Sequence, residues 1–317
     1  MASQYLHDRK DFPDLLRIIS DKNRIIPGLV EKDYWIMHVL YGLKKLGFNF
    51  ELKGGTSLSK GFKIIDRFSE DIDIHITPPS YLQVDENPAS TKKTCVDSRK
   101  KFYDWLVTEI KIDGIISVKR DRAFDDEMHY RSGGIRLKYK SYAPGVEGLK
   151  EGILLEAGFD TVTPNETISI SSWAFDHARE SGVDLIDNRA QGILCYHPGY
   201  TFIEKLQTIA TKFRQEQEEG KKKPNYMRQY YDISCLLENE IVQKFIGSEE
   251  YFLHKEKRFP KRDLNIPIES NQAFLLTSGK LRTEFKERFS RRANLYYKGQ
   301  PDFEEILKKI SAQLHKL

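Results

Sequence analysis

Lys53-Gly54-Gly55-Thr56-Ser57-Leu58-Ser59-Lys60-Gly61-Phe62 runs through Lys63 to Phe68 into Ser69-Glu70-Asp71-Ile72-Asp73-Ile74-His75-Ile76. The Gly54-Gly55 pair followed by hydroxyl residues predicts a turn whose backbone amides face a polyphosphate. Alternation from Asp71 to Ile76 predicts a half-buried strand, and period two sends Asp71 and Asp73 to one face. Two adjacent carboxylates repel unless a divalent cation neutralises them, and Mg2+ is commonly held by one or two carboxylates plus substrate phosphates. A glycine pair alone makes many ordinary turns. Its position just upstream of the carboxylate pair points to metal-dependent nucleotidyl transfer, with Mg2+ (or Mn2+) as cofactor and an NTP as substrate.

The flanking sequence predicts an α+β core. Ile36, Val39, Leu40, Leu43 and Leu46 recur at helical spacing, and Gly47 is set to end that helix. Phe48 to Leu52 read as a strand entering the glycine turn, and Ser57 to Ile65 as a helix whose positive end lies at Ser57. Arg67, just ahead of the carboxylate strand, is suited to neutralise phosphate. Ile135, Leu137 and Tyr139 alternate with Arg136, Lys138 and Lys140, and the turn-rich segment Ala143 to Gly148 predicts a hairpin with the apolar run Gly152 to Phe159. Glu156 interrupts that run, and a polar group in a central strand is costly unless paired. It is either a third carboxylate of the site or the partner of Arg136 or Lys138.

Beyond Pro198-Gly199 the pattern turns helical. Thr201 and Glu204 predict a capping box ahead of Phe202, Leu206, Ile209 and Phe213, with Lys205 off the centre of that stripe. Gln215 to Asn225 reads as a loop, Tyr226, Tyr230, Ile233 and Leu237 as the next helix, and Asp302 with Glu305 as a second capping box. The expected organisation is a core with N-terminal helices over 1–190 and a helical domain over 191–317 that contributes to nucleotide and acceptor binding.

Charge separates the same two parts. The chain of 317 residues carries a formal +4, yet residues 201–317 hold 23 Lys and Arg against 17 Asp and Glu, a local +6. These cations group with aromatics at Lys221 to Lys223, at His254 to Arg262 and at Arg288 to Tyr297. Basic clusters of this kind suit a nucleic-acid backbone, and Lys257, Arg258, Lys261 and Arg262 are the RNA-binding candidates. Cys95, Cys195 and Cys235 are scattered without zinc or disulfide spacing. No apolar run is long enough to span a bilayer, and the N-terminus Met1-Ala2-Ser3-Gln4-Tyr5 lacks an apolar signal core. A cytoplasmic protein with no membrane partner, monomeric when free, is expected.

The spacing of turn and carboxylates resembles the signature of the DNA polymerase β-type nucleotidyltransferase superfamily. Its fuller wording, Lys53 to Lys60 with Arg67-Phe68-Ser69-Glu70-Asp71-Ile72-Asp73, is similar to the AbiEii/AbiGii toxin family, which includes the mycobacterial MenT-type toxins. Glu31-Lys32-Asp33-Tyr34-Trp35, Glu204-Lys205 and Tyr231-Asp232 extend the likeness over roughly residues 30 to 240. The resemblance implies a polymerase β-like core with a mixed sheet followed by a helical C-terminal domain. It implies catalytic roles for Asp71, Asp73, Lys205 and Asp232, nucleotide binding by Gly54, Gly55, Ser57, Lys60, Arg67 and Lys205, and metal binding by Asp71, Asp73 and Glu156. It also implies tRNA as acceptor, with extension of the 3′ end blocking aminoacylation and translation, and a cognate antitoxin as partner. Lys32 and Asp33 are expected to brace the site.

Other readings of the same residues remain open: nucleotidylation of a protein or small-molecule hydroxyl, or an NTP-binding regulatory module without turnover. Strand alternation sets Ser69 on the face of Asp71 and Asp73, so a phosphoryl group there, adding roughly −1.5 to −2 charge, would oppose NTP and metal binding. Ser69 is therefore the candidate for regulatory phosphorylation.

Overall fold

The computed structural model describes residues 3–224 and 226–317. Met1, Ala2 and Asn225 lie outside the described residues, and with them the start of the N-terminal stretch and the last position of the loop read over 215–225. The chain forms two compact units: Met1–Phe62 with Phe68–Tyr196, and Lys63–Arg67 with His197–Leu317.

Unit 1 is built on a seven-stranded mixed sheet. Its strands are β1 (Phe50–Lys53), β2 (Asp71–Ile76), β3 (Ile115–Arg120), β4 (Ser132–Tyr139), β5 (Ile153–Gly158), β6 (Asn165–Ile170) and β7 (Ala190–Tyr196), in the spatial order β3-β4-β5-β2-β1-β7-β6. The β2–β5 and β1–β7 pairs are parallel and the others antiparallel. β4 and β5 pair as the hairpin reading predicts, with Leu137 opposite Ile153. The two carboxylate-bearing strands β2 and β5 are central, so their apolar residues are buried: Ile72, Ile74, Leu154 and Leu155 are each 0% exposed. Each such side chain contributes about 1.5–3 kcal/mol on burial.

The helices of unit 1 are α1 (Phe12–Asn23), α2 (Pro27–Lys45), α3 (Gly54–Thr56), α4 (Lys93–Glu109) and α5 (Trp173–Glu180). Pro27 starts α2 with its φ already set, and Gly47, at φ 82°, follows its end in the left-handed region. Unusually for a helix, α2 buries three consecutive charged residues, Glu31, Lys32 and Asp33.

Unit 2 is helical: α6 (Pro198–Glu219), α7 (Arg228–Leu236), α8 (Glu240–Phe245), α9 (Glu249–Arg258), α10 (Lys261–Leu264), α11 (Gln272–Leu275), α12 (Gly279–Ser290) and α13 (Phe303–Ser311). The capping box read at Thr201 is not used. Pro198 begins α6 three residues earlier, with His197 Nδ1 accepting from the Gly199 amide, and Thr201 lies inside the first turn. The segment 215–219 is helical rather than loop, and Gly220 at φ 64° ends the helix. Asp302 does cap α13, accepting from the Glu304 amide at 2.7 Å. The fold class is α+β, a mixed sheet with a helical C-terminal region. Among the described residues no helix is long and apolar enough to cross a membrane.

Candidate active site

Asp71 and Asp73 share the half-buried face of β2. Register adds what spacing does not contain: Asp73 lies opposite Glu156 across the β2–β5 pair and opposite Lys53 across the β1–β2 pair. Directly opposed residues on neighbouring strands project to one face. Three carboxylates therefore stand on the same side of the sheet. The cations weighed as partners of Glu156 are engaged elsewhere, Arg136 with Asp121 at 2.7 Å and Lys138 with Glu151 at 3.1 Å.

Gly54 meets this face directly. Its φ is 71°, and a Cβ there would lie 2.3 Å from Asp73 Oδ2. Both the backbone conformation and the carboxylate demand glycine. The turn that follows is helical over α3 and π-helical over Ser57–Gly61. The helix read from Ser57 to Ile65 thus starts earlier and stops earlier, because Lys63 takes a left-handed φ of 55°. Thr56 Oγ1 donates to the carbonyl of Asp71 at 2.5 Å and ties the turn to the first carboxylate residue. The Ser57 hydroxyl is fully buried beside the Cys195 thiol and makes no hydrogen bond of normal geometry. This hydroxyl lies in the turn where the sequence predicts a phosphate ligand.

The buried charges of α2 staple this region together. Successive helical residues point about 100° apart, so the three reach three different segments. Glu31 accepts from the amides of Tyr142 and Ala143 and from Ser141 Oγ. Lys32 donates to the Lys150 carbonyl at 2.7 Å and lies 3.4 Å from Glu70; burial lowers its pKa despite Glu70 and Asp71. Asp33, 0% exposed, accepts from Lys60 Nζ at 2.5 Å and from the Trp173 amide at 2.9 Å. Burial pushes the Asp33 carboxyl upward against the pull of Lys60. Lys60, the nucleotide-binding candidate, ties the glycine turn to α2, its ammonium 5.4 Å from the Trp173 ring centroid. Ser69 is buried two residues ahead of Asp71.

Unit 2 holds the remaining residues singled out in the sequence. Arg67 donates through Nε and a terminal nitrogen to both oxygens of Asp232, each at 2.6 Å, and Lys205 Nζ donates to the same carboxylate at 2.6 Å and to Gln229 Oε1 at 2.8 Å. All three charged residues are buried. Burial alone would raise the Asp232 carboxyl, but Arg67 and Lys205 hold it well below the usual carboxylate range. For Lys205, burial outweighs Asp232, and the adjoining Arg67 adds to the lowering. One carboxylate facing two cations leaves the cluster with one net positive charge. Asp232 orients both cations and offers no free oxygen of its own to a ligand.

Lys257, Arg258, Lys261 and Arg262 gather at the end of α9 and the start of α10. Arg258 lies 3.6 Å from Glu204 and Arg262 3.9 Å from Glu218. Arg228, which the sequence reading passed over, is one helical turn ahead of Asp232. That i, i+4 spacing was the available signal.

The donor set Asp71, Asp73 and Glu156 is all oxygen and suits a hard divalent cation. Among the described residues no group of three or more His, Cys, Asp or Glu is placed to hold a metal ion. Mg2+ takes one or two carboxylates and completes its shell with substrate phosphates and water, so the carboxylate pair fits it.

A family model described as "Nucleotidyl transferase AbiEii toxin, Type IV TA system" matches residues 38–309. None of the curated proteins matches the chain significantly. Among solved structures, an antigenic nucleotidyltransferase-like protein from Paracoccidioides brasiliensis is similar at 12% identity, over 88% of this chain and 93% of that one, with a TM-score of 0.33. That likeness is too distant to carry an argument.

Proposed function

The chain belongs to the AbiEii family of nucleotidyltransferase toxins, and we propose that it transfers a nucleoside monophosphate from an NTP to the 3′ end of tRNA, blocking aminoacylation and translation. The observation that supports this reading most is the register that sets Asp73 opposite Glu156 beside the Gly54 turn. Crowded carboxylates on central strands cost free energy that a cation and a polyphosphate offset.

In this reading Asp71 and Asp73 hold Mg2+, with Mn2+ as a substitute. When bound, the ion neutralises charge on the phosphates and favours ionisation of the attacking hydroxyl. Glu156, on the same face, accepts the proton of that hydroxyl. Gly54 and Gly55 let phosphate oxygens approach the backbone without obstruction, and the Ser57 hydroxyl supplies a further donor. Lys205, oriented by Asp232, counters triphosphate charge. The hydroxyl oxygen bonds to the α-phosphorus as the bond to the bridging oxygen breaks, and pyrophosphate leaves. Positioning and electrostatics provide the rate enhancement.

A cognate antitoxin is the proposed restraint, acting through phosphorylation of Ser69. Mass spectrometry of protein coexpressed with that partner, with activity measured before and after phosphatase, tests this; inhibited protein without phosphate at Ser69 rules it out. Incubation with labelled NTPs and total RNA, total protein or neither tests the transfer itself. Label in tRNA alone is expected, and label in protein or in nothing overturns the tRNA reading.

A further inference from the structure

Unit 2 contains a basic cavity that the chemistry above does not use. Its volume is about 340 Å3, and Lys222, Lys223, Arg228, Arg288, Arg291 and Arg292 line it over an apolar floor of Met227, Leu295 and Tyr296. Arg67, already tied to Asp232, also reaches its wall. Two basic clusters that are far apart in sequence, at 221–223 and 288–297, meet here. No carboxylate lines the cavity among the described residues.

The cations are held rather than merely gathered. Arg288 donates to Glu216 at 2.7 and 2.9 Å and to the Lys223 carbonyl at 2.9 Å, while Lys223 pairs with Glu219 at 2.6 Å and Lys222 with Glu284. These acids do not line the cavity, so it keeps its positive character. One donor in its wall, Arg228 Nε, is buried and unpartnered, and Tyr296 in the same wall is only 6% exposed. A buried donor without an acceptor is unfavourable unless a ligand supplies one.

We infer that this cavity binds a phosphodiester-linked nucleotide of single-stranded RNA, its phosphate on the guanidinium groups and its base over the apolar floor. The inference rests on the acceptor reading above and adds the subsite. The size lies near the lower end of small-ligand sites, roughly 300–1,000 Å3, which suits one nucleotide and excludes a duplex. A free triphosphate is disfavoured because it travels with Mg2+, and no carboxylate in the wall is present to share that ion. A phosphodiester needs none. Recognition by guanidinium plus an apolar ring surface is the chemistry of single-strand binding.

Arg291→Ala with Arg292→Ala is the main test, since both residues are exposed. A short fluorescein-labelled single-stranded RNA is titrated by anisotropy over a range of salt, in the Asp71→Asn background so that no transfer occurs. The double variant is expected to bind about tenfold more weakly, with the log–log salt slope smaller by about 1.4, two contacts at roughly 0.7 each. Tyr296→Phe is expected to weaken binding about threefold at an unchanged slope, and thermal melting checks that each variant is folded. ATP with and without Mg2+ and inorganic phosphate serve as competitors.

Unchanged affinity and slope in the folded double variant overturn the inference. Loss of Mg-ATP binding in parallel with RNA binding also overturns it, by making the cavity a substrate triphosphate site. Transfer to RNA by an otherwise parental Arg291→Ala/Arg292→Ala protein at parental KM leaves the function standing and removes the subsite. Pocket-dependent RNA binding by a parental protein that labels no RNA does the reverse.

Discussion

The sheet of unit 1 and the helices of unit 2 handle buried charge in opposite ways. On β2 and β5 three carboxylates share one face, with Asp73 opposite Glu156 and Gly54 pressed against it. In unit 2 a single carboxylate, Asp232, is closed between Arg67 and Lys205. The first arrangement gathers like charges on one half-buried strand face. The second is nearly satisfied within the protein and keeps one surplus positive charge. Removing a charge from the β2–β5 face should therefore cost less stability than removing Asp232.

The sharpest break of that contrast is Asp71→Ala. Transfer should fall by about a thousandfold or more, the scale of losing a main electrostatic element of a transition state. Melting temperature should fall by less than in Asp232→Ala, because Asp71 lies on the half-buried face of β2 whereas Asp232 is fully enclosed. A folded variant that transfers at the parental rate ends the assignment of the carboxylates, and a large drop in melting temperature ends the contrast.

Asp232→Ala tests the other side. It strands two buried cations, and breaking a buried pair costs about 3–5 kcal/mol. Chemical denaturation should show that loss. The pH dependence follows from the depressed native pKa of Asp232. As pH falls, the unfolded chain takes up the proton first, at the ordinary carboxylate value. The contribution is thus complete above that range, shrinks progressively as pH falls below it, and is gone once pH has dropped through the lower native value. The stability gap between the parent and Asp232→Asn should stay level from neutral pH to about pH 5 and narrow below the ordinary carboxylate range. A gap that widens on acidification would contradict the pairing.

Gly54→Ala should have a smaller effect on stability and a clear one on chemistry. An alanine at φ 71° costs on the order of 1–2 kcal/mol. Its Cβ also displaces the Asp73 carboxylate, so transfer should fall about a hundredfold while the melting temperature drops by only a few degrees. Equal activity in the variant would mean that the carboxylate has room to move without penalty.

How much of this was legible in the sequence depends on how local each signal is. Alternation in Asp71 to Ile76 and the apolar run at Ile153 are set by neighbours in the chain, and both are strands. Which strands neighbour each other is not local, so nothing in the spacing says that Glu156 sits opposite Asp73 rather than one residue off. Arg67 and Asp232 are 165 positions apart, and their pairing appears only in the folded unit. The start of α6 differs from the capping-box expectation at Thr201 because Pro198, three residues earlier in the chain, already sets the helical φ. Lys60 reads as a phosphate ligand beside a glycine turn, and the buried Asp33 that holds it belongs to another helix.

The smallest expected effect concerns the exposed cations of α9 and α10. Arg258 and Arg262 lie close to Glu204 and Glu218, whereas Lys257 and Lys261 have no acid recorded beside them among the described residues. Replacing all four by alanine therefore removes about two available phosphate contacts, not four. The salt slope for single-stranded RNA should fall by about 1.4 rather than about 2.8. Stability should change by less than about 0.5 kcal/mol, as for other surface substitutions away from packed features. The same anisotropy titration measures this. A slope change near 2.8 would mean that RNA draws Arg258 and Arg262 away from their acids, and no change would leave the cluster as solvated surface, with the basic cavity around Arg288 and Arg291 as the part of the helical unit that takes the strand.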